Sequence, residues 1–515
     1  MKRWLITLLL GGFVGACGSE PDPSDPSDTS SSSLSDITNS VDGGLTDVAE
    51  VSSDGAAAQD TSTADTPASD LGSEAMDVDS TIDAEAHGGV WSLQVPCSNK
   101  GPEIYTLTAA DVDTTQPAGT VVGCVLDGVI PPEKVAQALQ FVGLEGTGGI
   151  EMRRITYLTK RSFGEVALAT ARVLLPDTPP EGPASVVVVT HGTAGLADQC
   201  APSRVPIPHV MGIPFAGTDT VVVLPDYAGL GNEGVQGYHD SHDTAYSVLD
   251  SLKAVHDMLD PALLSKTYAV MGHSQGGAAA LYAQGLANEY AADFDLEAVV
   301  AFSPGWTSSA IPDKSLYATP QYFPVTLGAG VPMAALAFSH YADAYNHVDA
   351  ADPGLYFSDE WRETIVDWIE TECVSTIAAN FMELGDGLTA MDIFDPVFLM
   401  VSLSCLQGEA GCTEPTQSHI ERRKAHYIPM DVAGAPALII QGMADKQTTP
   451  AKAACKVKAM KEGGFTPSVS VDPLATHFDV VKLNLGLAVA WIKGHVNETM
   501  LPTWSFDAAV LPACD

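Results

Sequence analysis

Residues 268–281 read YAVMGHSQGGAAAL. The run 268–271 is apolar and strand-like, 278–281 is helix-like, and Gly272 and Gly276 flank Ser274 two positions away on either side. A strand that turns at once into a helix strains the backbone of the residue on the turn, so residues two positions away must be small. The same turn sets the serine hydroxyl at a helix N-terminus, where backbone N–H groups favour developing negative charge. G-x-S-x-G in this setting points to a nucleophilic serine and not to an incidental one in a glycine-rich turn.

Working outward, four more short apolar runs end in turn residues: ASVVVVTHG (184–192), DTVVVLPDYAGLG (219–231), EAVVAFSPG (297–305) and APALIIQGMAD (435–445). They are rich in Val and Ile and lack alternation, which predicts strands buried on both faces of a parallel sheet. DTAYSVLDSLKAVHDML (243–259) and AAALYAQGLANEYA (278–291) read as helices between them. Alternating strands and helices predict an α/β fold. Upstream, 153–176 predicts two antiparallel strands joined near 162–165, the mixed edge of the same sheet. From about 307 to 434 no buried-strand signal occurs, only aromatic and helical stretches such as SDEWRETIVDWIETECV (358–374). That is too long for a loop and predicts a mainly helical cap over the C-terminal edge of the sheet, where open α/β folds bind ligands.

A serine hydroxyl needs a base, and the base an orienting acid. In α/β-hydrolases these follow in the order Ser, Asp or Glu, His. After Ser274, LIIQGMADKQTTP (438–450) puts Asp445 on the loop after a buried strand, and SVSVDPLATHFDVV (468–481) puts His477 on a later loop. His495, in what reads as the last helix, is expected at the surface; Asp472 and Asp479 flank His477 but do not follow a core strand directly. The N–H of Gln275 and an N–H after the third predicted strand, at Thr193, are the candidate oxyanion donors. His191 is expected to brace that loop. YHDSHD (238–243) carries metal-capable side chains, but it precedes a helix, where Asp and Ser act as caps. No metal site and no cofactor are expected.

The chain opens with MKRWLITLLLGGFVGA (1–16), two basic residues and an apolar stretch too short to span a bilayer. This predicts an export signal. Val14-Gly15-Ala16-Cys17 resembles the lipobox of bacterial lipoproteins, which implies lipidation of Cys17 and an envelope-anchored or released protein. Residues 17–90 form a Ser-, Asp- and Pro-rich stretch without aromatic or Lys/Arg residues, predicted to be a disordered acidic tether. It contributes to a net charge of −41, which disfavours nucleic acid and anionic membrane surfaces as partners. The catalytic domain is then 91–515. Besides Cys17 there are eight cysteines, an even set that suggests disulfides in an exported protein: Cys97, Cys124, Cys200, Cys373, Cys405, Cys412, Cys455 and Cys514. Proximity alone suggests Cys97 with Cys124 and Cys405 with Cys412 and leaves the others open.

With these residues in place, the chain resembles the secretory lipase family of α/β-hydrolases, in its bacterial branch. The resemblance rests on GHSQGG, HGTAGLADQCAPS (191–203), LPDYAGLG (224–231), GMADKQTTP (442–450) and ATHFD (475–479). It implies hydrolysis of acylglycerols or other carboxylic esters, a helical cap over an acyl pocket, no cofactor, and a triad of Ser274, Asp445 and His477. Two other readings are a serine peptidase of the same fold and a surface lipoprotein that binds without catalysis. No internal repeat suggests the propeller that gates many such peptidases, and the intact order of Ser, Asp and His disfavours a binding-only role.

Overall fold

The structure, a computed structural model, describes residues 91–98, 103–146, 148–205, 210–306, 330–384, 390–407, 411–414, 416–425, 434–496 and 511–514. The predicted export signal, the tether and Cys17 lie outside the described residues, as do 307–329 and 426–433 of the predicted cap.

Nine strands form one sheet: β1 (Val121–Ile130), β2 (Ile150–Lys160), β3 (Val166–Pro176), β4 (Ala184–Thr190), β5 (Val221–Pro225), β6 (Leu264–His273), β7 (Asp295–Phe302), β8 (Ala437–Gly442) and β9 (Ser468–Asp472). Their spatial order is β1-β2-β3-β5-β4-β6-β7-β8-β9. β1, β2, β3 and β5 pair antiparallel, and the ladders from β5 onward are parallel. The α/β-hydrolase expectation is met, with one shift of count. β1 was not foreseen, because Gly123, Asp127 and Gly128 interrupt its apolar pattern, and VVVVT is therefore the fourth strand and not the third. From β4 the chain first steps to β5 on one side and then to β6 on the other. In open α/β sheets such a reversal, here at the C-terminal ends of β4 and β6, marks the place where ligands bind.

The helices are α1 (Pro132–Phe141), α2 (Ile213–Ala216), α3 (Ser241–Met258), α4 (Gln275–Tyr290), α5 (Gly330–His347), α6 (Arg362–Thr371), α7 (Val374–Glu383), α8 (Ala390–Ile393), α9 (Pro396–Gln407), α10 (Thr416–Ala425), α11 (Pro450–Glu462) and α12 (Asp479–Val496). Alternate residues of the buried strands face opposite layers. Val186, Val188, Tyr268 and Val270 pack against α3, α4 and α11; Val187, Val189, Ala269 and Met271 pack with α1 and α12. Each fully buried valine contributes about 1.5–3 kcal/mol of transfer free energy. Runs of such residues need no alternation because neither face of the strand meets water.

Between β7 and β8 the described residues form only helices, α5–α10, apart from an isolated bridge between Phe357 and Phe394. They enclose a separate apolar cluster that includes Phe338, Tyr356, Phe357, Phe381 and Phe394. Leu196, Val235 and Tyr238, from the loops after β4 and β5, belong to that same cluster. Disulfides join Cys97 to Cys124, Cys200 to Cys373, Cys405 to Cys412 and Cys455 to Cys514. No helix of the described residues is long and apolar enough to cross a membrane.

Candidate active site

β6 ends at His273, and α4 begins at Gln275, so the turn between them is Ser274 alone. Its φ is +57°, a left-handed conformation that costs a non-glycine residue energy and persists only where its surroundings hold it. The surroundings do so. A Cβ at Gly272 would collide with the Thr190 hydroxyl and the Gly276 carbonyl, and one at Gly276 with the carbonyl of Thr190. Thr190 Oγ1 lies 2.7 Å from the Gly276 carbonyl oxygen and 3.0 Å from that of Met271, tying the end of β4 to the elbow. Ser274 N–H donates to Phe302 O, and Gly305 N–H donates to Ser274 O at 2.7 Å, which closes the other side.

Ser274 Oγ is 2.9 Å from His477 Nε2, and His477 Nδ1 is 2.8 Å from Asp445 Oδ2. Three residues separated by 32 and 203 positions therefore meet in one hydrogen-bonded line. Asp445 and His477 are almost wholly buried. Asp445 Oδ1 accepts from the Gln447 and Thr448 N–H groups, and Oδ2 accepts from Thr448 Oγ1 at 2.8 Å. Burial pushes the Asp445 carboxyl up, but hydrogen bonds and charge from His477 and Thr448 outweigh it and hold the carboxyl below its usual range. The acid and base loops are laced together by Met443 N–H to Asp472 O and Ala444 N–H to Ala475 O. An imidazole aimed at a hydroxyl by a buried carboxylate can draw off the hydroxyl proton as the oxygen attacks an electrophile.

The Secretory lipase family model matches residues 213–310, the segment that contains the elbow. Among solved structures, the fold is similar to a putative hydrolase from Legionella pneumophila (19% identity, TM-score 0.59, covering 74% of this chain and 100% of the other). It is also similar to Candida antarctica lipase A in its closed state (16% identity, TM-score 0.56, 79% and 88%). A third relative is the rice cell wall degrading esterase LipA from Xanthomonas oryzae (18% identity, TM-score 0.56, 74% and 99%). No curated protein matches the chain by sequence. The chain has the α/β-hydrolase fold.

The candidate oxyanion donors come from two elements beside Ser274. Gln275 opens α4, so its N–H lies in the first turn, where a helix offers no internal acceptor. Thr193 lies on the loop after β4. A Cβ on the preceding Gly192 would stand 3.3 Å from His273 O and 3.6 Å from Ser274 Cβ, which shows how closely that loop approaches the elbow. The Thr193 side chain turns elsewhere: its Oγ1 is 2.6 Å from Tyr238 Oη. His191 is buried, with its ring nitrogens 2.6 and 3.1 Å from the carbonyl oxygens of Gly192 and Asp226 and its ring stacked on Tyr227. His495 Nδ1 bonds back to Trp491 O within α12.

Three further neighbours brace the site, two of which, Thr448 and Tyr238, were not singled out in the sequence. Thr448 Oγ1 bonds both Asp445 and Ser303 O, so it braces the acid against the end of β7. His273 Nε2 is 2.7 Å from His477 O and holds the base loop from below. Tyr238 anchors Thr193. Of those two, Thr448 left a sequence signal: Asp-x-x-Thr is the spacing of a turn in which the side chains bond the local backbone. In YHDSHD, Asp240 caps α3 and Asp243 pairs with Arg161 at 2.7 Å. Among the described residues no group of three or more His, Cys, Asp or Glu side chains is placed to hold a metal ion.

Proposed function

We propose that this protein hydrolyses carboxylic esters through an acyl-enzyme on Ser274. The observation that carries the reading is the 2.9 Å contact of Ser274 Oγ with His477 Nε2, made from a left-handed elbow and backed by buried Asp445. Ser274 Oγ attacks the ester carbonyl carbon while its proton passes to His477 Nε2, and Asp445 orients the imidazole and stabilises the imidazolium. The N–H groups of Gln275 and Thr193 hold the oxyanion. The tetrahedral intermediate collapses, the alkoxide leaves with the proton from His477, and the acyl group stays on Oγ. Water then attacks the acyl carbon, gives a proton to His477 and, after a second tetrahedral intermediate, releases the acid and restores the serine hydroxyl.

The helices between β7 and β8 act in this reading as a cap over the acyl pocket, and acylglycerols are the substrate class. Export is supported by the Secretory lipase match and by disulfides among the described residues, which persist in oxidising compartments. Lipidation of Cys17 would anchor the enzyme to the bacterial envelope, with the acidic stretch to residue 90 as its tether. The test is hydrolysis rate against acyl length, from acetyl to palmitoyl p-nitrophenyl esters, with Ser274→Ala as the blank. Serine-dependent activity on long chains is the expected result; no serine-dependent turnover at any length would remove the reading.

A further inference from the structure

The loop that follows β4 has a demanding task and little regular structure. Residues 191–196 form neither helix nor strand, and a short 3-10 turn, Asp198–Cys200, follows. An N–H group that stabilises an oxyanion must be held in place before the charge develops, because its value lies in not having to reorganise. On its inner side the loop is held by Thr190, by the packing of Gly192 on the elbow and by Thr193 Oγ1 against Tyr238.

Its outer side is held by the helical insertion. Val374 N–H donates to Ala194 O at 2.9 Å, and Cys200 is disulfide-bonded to Cys373, the residue just before α7. Gln199 Nε2 donates to the carbonyl of Thr371 at 2.6 Å. Gly195, at φ +132°, fits beneath the bridge: a Cβ there would stand 3.0 Å from Cys200 Sγ and 3.2 Å from Cys373 Cα. Leu196 is buried in the apolar cluster of the insertion and not in that of the sheet. Contacts from Ala194, Gly195, Gln199 and Cys200 thus clamp the loop and its 3-10 turn to the junction between α6 and α7. The bridge closes 173 residues of sequence, whereas Cys405–Cys412 closes 7 within the insertion alone.

We propose that Cys200, Cys373 and Val374 are positioning residues for the oxyanion step, holding the Thr193 N–H at the elbow through the Cys200–Cys373 bridge and the Val374–Ala194 hydrogen bond. This rests on the ester-hydrolysis reading above. The insertion then does more than cover substrate: its α6–α7 junction is part of the scaffold of the catalytic loop and must stay in place through turnover, whatever other part of the insertion moves to admit substrate.

Two variants test this. Cys200→Ser with Cys373→Ser removes the bridge. Val374→Pro keeps the bridge but deletes the N–H that the Ala194 carbonyl accepts; proline is tolerated at the first residue of a helix, and Cys373 before it is already extended at φ −91°, ψ 164°. Cys405→Ser with Cys412→Ser is the control. Wild type and variants are assayed for kcat and KM on a p-nitrophenyl ester and for inhibition by an alkylboronic acid, whose tetrahedral adduct on Ser274 places an oxygen in the oxyanion site. The bridge variant is expected to lose about 10- to 100-fold in kcat, within the range set by misplacing or losing one oxyanion donor. Val374→Pro is expected to lose about 3- to 10-fold, a part of that effect. In both, KM stays within about twofold and boronate affinity falls in step with kcat, the mark of an interaction made only with the tetrahedral state. The control keeps wild-type kcat. Folded variants with wild-type kcat and boronate affinity, or with changes in KM alone, would overturn the proposal. If the bridge variant does not fold, Val374→Pro decides. If wild type itself shows no Ser274-dependent turnover, the ester-hydrolysis reading fails first and this proposal falls with it.

Discussion

The sheet and the helical insertion are held together in different ways. In β4, β6, β7 and β8 the interior is mostly Val, Ile, Leu, Ala, Met and the aromatic Tyr268 and Phe302, and polar groups gather at or just beyond the C-terminal ends: Thr190, Ser274, Ser303 and Asp445. The insertion buries charge inside itself. Asp343 on α5 meets Arg422 on α10 at 2.6 Å and His419 Nδ1 at 2.8 Å, and accepts from Tyr356 Oη at 3.1 Å. A sheet satisfies its backbone in a continuous ladder, so its side chains can be wholly apolar. Short helices from several directions leave gaps between their ends, and here one buried carboxylate joins α5, α10 and the segment before α6. Packing is distributed and forgiving, whereas a buried charge set is concentrated and fails when one member is removed.

The largest expected effect lies at the turn between β6 and α4. Ser274→Ala should lower kcat/KM on esters by about 10⁴-fold or more while hardly changing the thermal midpoint, since the hydroxyl does catalytic and not packing work. Asp445→Asn should lower kcat by a comparable factor, about 10⁴, by leaving His477 in the wrong tautomer. Steady-state kinetics and calorimetry on the same samples check both; a loss of activity that tracked a loss of folding would undo the assignment.

Next comes the contrast itself. Asp343→Asn strands the Arg422 guanidinium in a partly closed site and should destabilise by about 3–5 kcal/mol. Ile440→Val, fully buried on β8, should cost only about 0.5–1.5 kcal/mol. Denaturant unfolding measures both, and equal costs would break the division between distributed and concentrated stabilisation.

The smallest expected effects concern pH and sharpen the comparison between two buried aspartates. Burial pushes Asp343 up, but His419 and Arg422 overcome it and hold the carboxyl well below its usual range. Its contribution to stability is therefore present above the unfolded-state value, about pH 3.9, and is lost only as pH falls through the lower folded value. Asp243, at the start of α3, goes the other way: burial, with Asp240 nearby and against the pull of Arg161, raises it to about 6. Its contribution is complete below about pH 3.9 and is lost as pH rises through about 6. Thermal midpoints between pH 3 and 7.5 should show a flatter decline from pH 4 to 6 in Asp243→Asn, and a weakened acid limb in Asp343→Asn. Parallel profiles in the two variants would contradict the opposite signs.

Much of the site was legible along the chain because its chemistry is local. GHSQG needs its two glycines wherever Ser274 turns, and Asp445 follows a run of buried apolar residues directly. β1 was less visible, since a partly exposed edge strand broken by Gly123, Asp127 and Gly128 carries neither a continuous apolar run nor a strict alternation. Proximity suggested Cys97–Cys124 and Cys405–Cys412, which close short loops. It could say nothing of Cys200–Cys373, whose partners are distant in the chain and meet only once the insertion folds back over the loop after β4.

By itself the sequence determined the buried strands, the strained serine turn, the length of the insertion and which acid and base could serve, because each depends on residue type within a short window. The tertiary structure alone decided that Ser274, His477 and Asp445 lie within hydrogen-bonding distance and that Thr448 and His273 hold the last two in place. It also decided that the catalytic loop leans on the insertion. Those relations join residues far apart in the chain, and only the register and crossover of the strands, with helices packed on both faces, convert sequence separation into distance.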